Sequence, residues 1–97
     1  MNDPQDRPTP EWEARLWERL AAGDEQAVED LYDQYASHIY GLAFRVTGDS
    51  ATAEEITVEV LASTWAGAST FQPGTSLRAH LSMRAHELAA ERMRNAG

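Results

Sequence analysis

Two apolar stripes of helical period, joined through one glycine, constrain this chain more than anything else in it. Val28, Leu31, Tyr32, Tyr35, Ile39, Leu42, Ala43 and Val46 recur at spacings of three and four, which sets them along one face of a long helix with a side to bury. Gly48 can take the left-handed conformation that closes a helix. Asp49 or Ser50 then offers a side-chain oxygen to the orphan amides of the next one. Ala53, Ile56, Val60, Leu61 and Thr64 form the second stripe, and Thr52-Ala-Glu-Glu55 has the form of a capping box. Two helices packed in series through a tight joint are expected.

The flanks extend this reading to four helices. Met1 to Thr9 is polar, carries Pro4 and Pro8, and reads as a disordered tail whose last residue, Thr9, caps a first helix. Pro10 falls at the first helical position, where its missing N–H is harmless, and Trp12, Leu16 and Leu20 follow at spacings of four before Gly23 ends the run. Asp24 starts the second helix, to about Thr47, and the third covers about Ser50 to Ala66. Gly67-Ala-Ser-Thr-Phe-Gln-Pro-Gly74 breaks all periodicity. Ser76 or Thr75 caps a fourth helix with Leu77, Leu81, Ala85, Leu88 and Ala89 inward, to about Arg94. The expected fold is all-α, a compact four-helix bundle over residues 10–97 behind the tail at 1–9. A chain of 97 residues buries only roughly 60 to 70% of its unfolded surface.

Composition excludes several classes of function. Without cysteine the chain has neither disulfides nor thiolate metal sites. No apolar run approaches the roughly 20 residues of a membrane span, and the N-terminus lacks the basic start and apolar core of a signal peptide, so a cytoplasmic protein without membrane insertion is expected. The net charge is −8 and uneven: residues 1–65 carry 14 Asp/Glu against 4 Arg, residues 66–97 carry 2 Glu against 4 Arg, and there is no lysine. Such a chain does not hold duplex DNA by bulk electrostatics, because releasing counterions from phosphates takes a basic surface. Any nucleic-acid contact is local and assisted by a partner. Glycine-rich phosphate loop, nucleophile with a paired base and metal cluster are all missing from the pattern. His80 and His86 are six apart and His38 is on another helix, so they do not make a metal set. No enzyme activity, cofactor or metal is expected.

The stretch from Leu31 to Trp65 resembles the core-polymerase-binding segment of bacterial sigma factors. From about Leu16 to Arg94 the chain resembles region two of the extracytoplasmic-function (ECF) sigma factors of the sigma-70 family. The resemblance is carried by L-A-A-G-D-E-Q-A-V-E-D-L-Y, Y-G-L-A-F-R-V-T-G-D-S-A-T-A-E-E, the helix-closing Trp65, the loop containing Phe71, and S-L-R-A-H-L at the start of the last helix. It implies a transcription-initiation domain that docks on the clamp coiled coil of the largest bacterial RNA polymerase subunit and opens and reads the promoter's minus-ten element. An anti-sigma factor is a further implied partner. The second helical domain that reads the minus-35 element (region 4) is not present in these residues, so either an excised domain or a naturally shortened protein is expected; the end at Arg94-Asn-Ala-Gly, where an interdomain linker would begin, favours excision.

On this reading Glu55, Val58, Glu59 and Ala62 form the polymerase-binding face of the third helix, opposite its inward stripe. Acidic residues near a helix start also complement the macrodipole. Yet Glu55 and Glu59, like charges one turn apart, cost an isolated helix roughly 0.2 to 0.5 kcal/mol, which is easier to explain with a basic partner facing them. The family usually has a glutamine where Val58 stands. The expected DNA-binding residues are Phe71, Ser76, Arg78, Arg92 and Arg94. A loop with an aromatic beside a few cations suits capture of an unpaired base from the minus-ten strand, although chemistry alone favours a Phe71 that simply plugs the core. Trp65 continues the buried side of its helix and reads as structural, while Arg78, Arg92 and Arg94 fit a solvent face that can follow phosphates. The chain departs from the family at His80 (usually aromatic), Met83 and His86 (usually basic), Glu87 (usually asparagine) and Arg84 (usually aliphatic), where either the stem is buried with its head at the edge or the helix rotates. These departures touch the DNA side. They leave an alternative: an interaction domain of sigma-factor descent that binds polymerase or an anti-sigma factor and has lost promoter reading.

Overall fold

A computed structural model describes residues 9–68 and 76–96. Four helices follow in order: α1 (Pro10–Ala21), α2 (Glu25–Thr47), α3 (Ser50–Ala66) and α4 (Leu77–Ala96). The described residues contain no strand, as the stripes imply. The expectation of a disordered tail falls on residues outside the described ones, except at Thr9, whose Oγ1 accepts from the Trp12 amide at 3.1 Å and caps α1.

The joints are made by local chemistry. Asp24 accepts from the Gln26 amide and starts α2. Gly48 closes α2 at φ 68°, its N–H bonded to the Phe44 carbonyl at 2.7 Å; this left-handed turn folds α3 back onto α2 and disfavours any residue with a Cβ. The start of α3 corrects one sequence expectation. Asp49, not Thr52, is the cap: its Oδ2 accepts from the Thr52 amide at 2.9 Å and from the Thr52 hydroxyl at 2.6 Å. With the helix beginning at Ser50, Thr52 already lies inside the first turn and its hydroxyl is engaged by Asp49, so the reciprocal box with Glu55 does not form.

α2 packs against each of the other helices and forms the centre of the bundle. Leu31, Tyr35, Ile39 and Ala43 are buried along it, against Ile56 and Val60 of α3, Leu77, Leu81 and Ala85 of α4, and Leu16 and Leu20 of α1. The expected stripe is thus correct along its axis and too wide at its edges. Val28, Leu42 and Val46 are only partly buried against the core, and Tyr32 is 55% exposed. Trp17 was not part of the expected row but is buried.

One carboxylate ties three helices together. Glu13 of α1 accepts from the Tyr35 hydroxyl of α2 at 2.7 Å and, through its other oxygen, from the amide of Leu77, the first residue of α4, at 3.0 Å. Tyr35 and Leu77 are fully buried, so Glu13 satisfies two donors that have no water available to them.

Candidate functional site

The outer face of α3 follows from its inner one. With Ala53, Ile56, Thr57, Val60, Leu61 and Thr64 turned inward, the 3.6-residue period turns Glu55, Val58, Glu59 and Ala62 outward. All four are exposed. Val58 is 62% exposed, an apolar side chain in solvent between two exposed carboxylates. Alongside it, α2 and α3 enclose a groove of about 560 Å³ lined by Tyr32, Ala36 and Tyr40 on one side and Glu54, Thr57 and Val58 on the other. Tyr40 stacks on Phe44 one turn later, ring centroids 6.0 Å apart. Sequence reasoning put the candidate surface on α3 alone and missed this α2 wall. Tyr32, the most exposed member of the α2 stripe, marks that wall.

Glu55 and Glu59 already have a basic partner within the chain. Arg92 of α4 reaches Glu55 Oε1 from one guanidinium nitrogen at 3.0 Å and Glu59 Oε1 from another at 3.3 Å. This corrects the expectation that Arg92 lies on a solvent face. Counting along α4, Arg92 extends the inward row of Leu77, Leu81, Ala85 and Leu88 by one turn, to where the acidic side of α3 passes. The repulsion between the two glutamates is relieved inside the domain, so it does not by itself call for an external cation. These are exposed ion pairs, with Glu55 at 68% and Glu59 at 49% of full side-chain exposure, and each contributes about 0.2 to 1 kcal/mol.

The start of α4 gathers several of the other candidates. The Ser76 hydroxyl accepts from the Ala79 amide at 3.2 Å and caps the helix. Arg78 donates to Nδ1 of His38 at 3.4 Å, and Nε2 of the same ring lies 2.7 Å from the Ser82 hydroxyl. Arginine can only donate, so Nδ1 is the acceptor and Nε2–H points to Ser82. Burial, then the charges of Arg78 and Arg45, lower the His38 pKa from its ordinary value. Arg94 is exposed. The expectation for Phe71 lies outside the described residues.

Three departures from the family pattern find their places. His80 sets its ring edge-on to Trp17, centroids 6.1 Å apart, and so fills an aromatic position with an aromatic ring. Arg84 is partly covered and its head pairs with Glu87 at 2.8 Å. Met83 is 54% exposed. Trp65 departs from its expected role: it is 43% exposed, because at the end of α3 its position has rotated off the inward stripe, whose last member is Thr64. No group of three His, Cys, Asp or Glu is placed to hold a metal ion among the described residues, and no described helix is long and apolar enough to cross a membrane.

Helix order, the glycine joint and the acidic outer face of α3 together define an all-α four-helix bundle with one charged face. The family model for sigma-70 region 2 matches residues 31–97, and the chain belongs to that family. It is 38% identical over 81 residues to the ECF RNA polymerase sigma factor SigK of Mycobacterium bovis (strain BCG / Pasteur 1173P2) and to that of Mycobacterium tuberculosis (strain ATCC 25618 / H37Rv). The match covers 81% of this chain and 43% of each relative. The SigK of Mycobacterium sp. (strain KMS) is 33% identical over 81 residues, 82% of this chain and 42% of the relative. The chain therefore spans less than half the length of these curated relatives. No solved structure matches it significantly.

Proposed function

We propose that residues 10–97 form a transcription-initiation domain that docks on the clamp coiled coil of the largest RNA polymerase subunit and engages the unpaired minus-ten strand of a promoter in the cytoplasm. The observation that carries the docking half is the outer face of α3, in a chain of the sigma-70 region 2 family. Glu55, Glu59, Val58 and Ala62 are exposed together there, continuous with the groove edged by Tyr32 and Tyr40. An apolar side chain set among carboxylates suits a helical partner with aliphatic anchors flanked by cations. An anti-sigma factor would compete for the same face.

Binding of the recombinant clamp coiled coil to the double variant Glu55→Arg/Glu59→Arg tests this half. Weaker binding with a flatter salt dependence is expected. Binding equal to the parent, with the fold intact, refutes the assignment. For the DNA half, Arg78 and Ser76 at the start of α4 and exposed Arg94 hold phosphates, and Phe71 shapes the pocket for an extruded base. Stacking on an aromatic contributes about 1 to 3 kcal/mol per base, so Phe71→Ala weakens binding to the unpaired minus-ten strand on polymerase by about five- to a hundredfold.

A second reading, a protein-only interaction domain, is favoured by the charge on α4. Arg92 is engaged with α3 and Arg84 with Glu87, which leaves Arg78 and Arg94 as the arginines of that helix with no ion pair among the described residues. An unchanged affinity for single-stranded promoter DNA after removal of Phe71, Ser76 and Arg78 together makes this second reading the better account.

A further inference from the structure

We infer that Arg92 is an internal competitor for the docking carboxylates, setting how strongly the α3 face attracts a basic partner. The inference rests on the docking reading above and adds its regulation. One guanidinium serves two carboxylates, taking Oε1 of Glu55 and Oε1 of Glu59 at 3.0 and 3.3 Å. The pair of acids therefore presents to a partner the charge of one carboxylate rather than two. Arg92 cannot turn away freely, because it continues the inward row of α4 and is only 33% exposed. The glutamates remain open on their outer side. A partner cation thus meets acids that are reachable but half neutralised, and it gains their full attraction only by drawing them from Arg92.

The predicted consequence is unusual for loss of an ion pair: removing the arginine charge strengthens binding. Arg92→Gln should bind the recombinant clamp coiled coil about two- to tenfold more tightly than the parent chain, the range expected when one or two exposed ion pairs no longer compete. The gain should lie mainly in the association rate, rise at low salt and vanish near 1 M salt, where screening acts within about 3 Å. Arg92→Lys, which keeps the charge, should stay close to the parent. Arg92→Met, with an apolar stem against α3, carries the same expectation as glutamine should the polar variant unfold.

The Glu55→Arg/Glu59→Arg variant is measured in parallel. If it weakens binding while Arg92→Gln and Arg92→Met bind equally to or more weakly than the parent, Arg92 organises the acids rather than competing for them and the inference is overturned. If the glutamate reversal itself has no effect, the docking reading fails and takes this inference with it.

Discussion

Replacing Glu13 by alanine should destabilise the domain more than any other single change of a charged residue. The carboxylate holds the Tyr35 hydroxyl at 2.7 Å and the Leu77 amide at 3.0 Å. Both donors belong to fully buried residues. Alanine leaves each donor without its acceptor, at about 1 to 3 kcal/mol apiece, and removes a negative charge from the N-terminus of α4, worth about 0.3 to 1 kcal/mol. The expected loss is about 2 to 7 kcal/mol against a total of about 5 to 15 kcal/mol for a domain of this size. At about 4 to 8 °C per kcal/mol, the melting temperature should fall by at least about 10 °C.

Glu13→Gln supplies only one acceptor oxygen for two donors and should lose about half as much. The double variant Glu13→Ala/Tyr35→Phe removes the stranded hydroxyl and should be less destabilised than the sum of its single changes. The same contact has an alkaline signature. Burial, and then the bond to Glu13, push the Tyr35 hydroxyl well above its ordinary value. The stability it contributes is complete below an unfolded tyrosine pKa of about 10 and is lost as pH rises above that. Urea denaturation at pH 7 and pH 10.5 reads both effects. A Glu13→Ala protein melting within about 2 °C of the parent would refute the reasoning.

Three further outcomes are expected. Burial and the neighbouring arginines lower the His38 pKa, so its stabilising contribution is present above the unfolded value of about 6.5 and is lost as pH falls below it; His38→Gln should flatten the fall in stability between pH 7 and pH 5 in urea titrations. Gly48 sits at φ 68°, so Gly48→Ala should cost about 1 kcal/mol or more, measured by thermal melting, although open space surrounds the added methyl. Ile56 is fully buried, and Ile56→Ala should cost about 2 to 5 kcal/mol, read from the urea midpoint at constant slope.

The sequence made most of the fold legible because its determinants are local. The caps at Thr9 and Asp24, the turn at Gly48 and the inward rows of α2, α3 and α4 each depend on residues within a few positions of one another. The errors lie where two local signals competed or where a row ran past its neighbour. Asp49 and Thr52 both offered a cap, and the residue one step outside the helix prevailed because its carboxylate reaches the Thr52 amide from there. Trp65 is aromatic and follows the last member of a buried row, but one position beyond Thr64 it lies about 100° off that row.

The candidate site was legible only as a face, since periodicity says which side chains turn outward and nothing about what reaches them. Glu13 is a first-turn acid of α1, and its two partners lie 22 and 64 residues away. Arg92 lies 37 and 33 residues from the glutamates it joins, and no local pattern links them. Its placement nevertheless had a trace in the sequence. The inward row Leu77, Leu81, Ala85, Leu88 reaches Arg92 in one more turn, and an arginine at the end of such a row is directed at the neighbouring helix rather than at solvent. The neighbour's only acids are Glu54, Glu55 and Glu59. The acidic face of α3 and the cation in the adjoining inward row therefore belong to one electrostatic unit, and on the proposed docking reading the affinity of that face for a partner depends on the residue beneath it as much as on those that it displays.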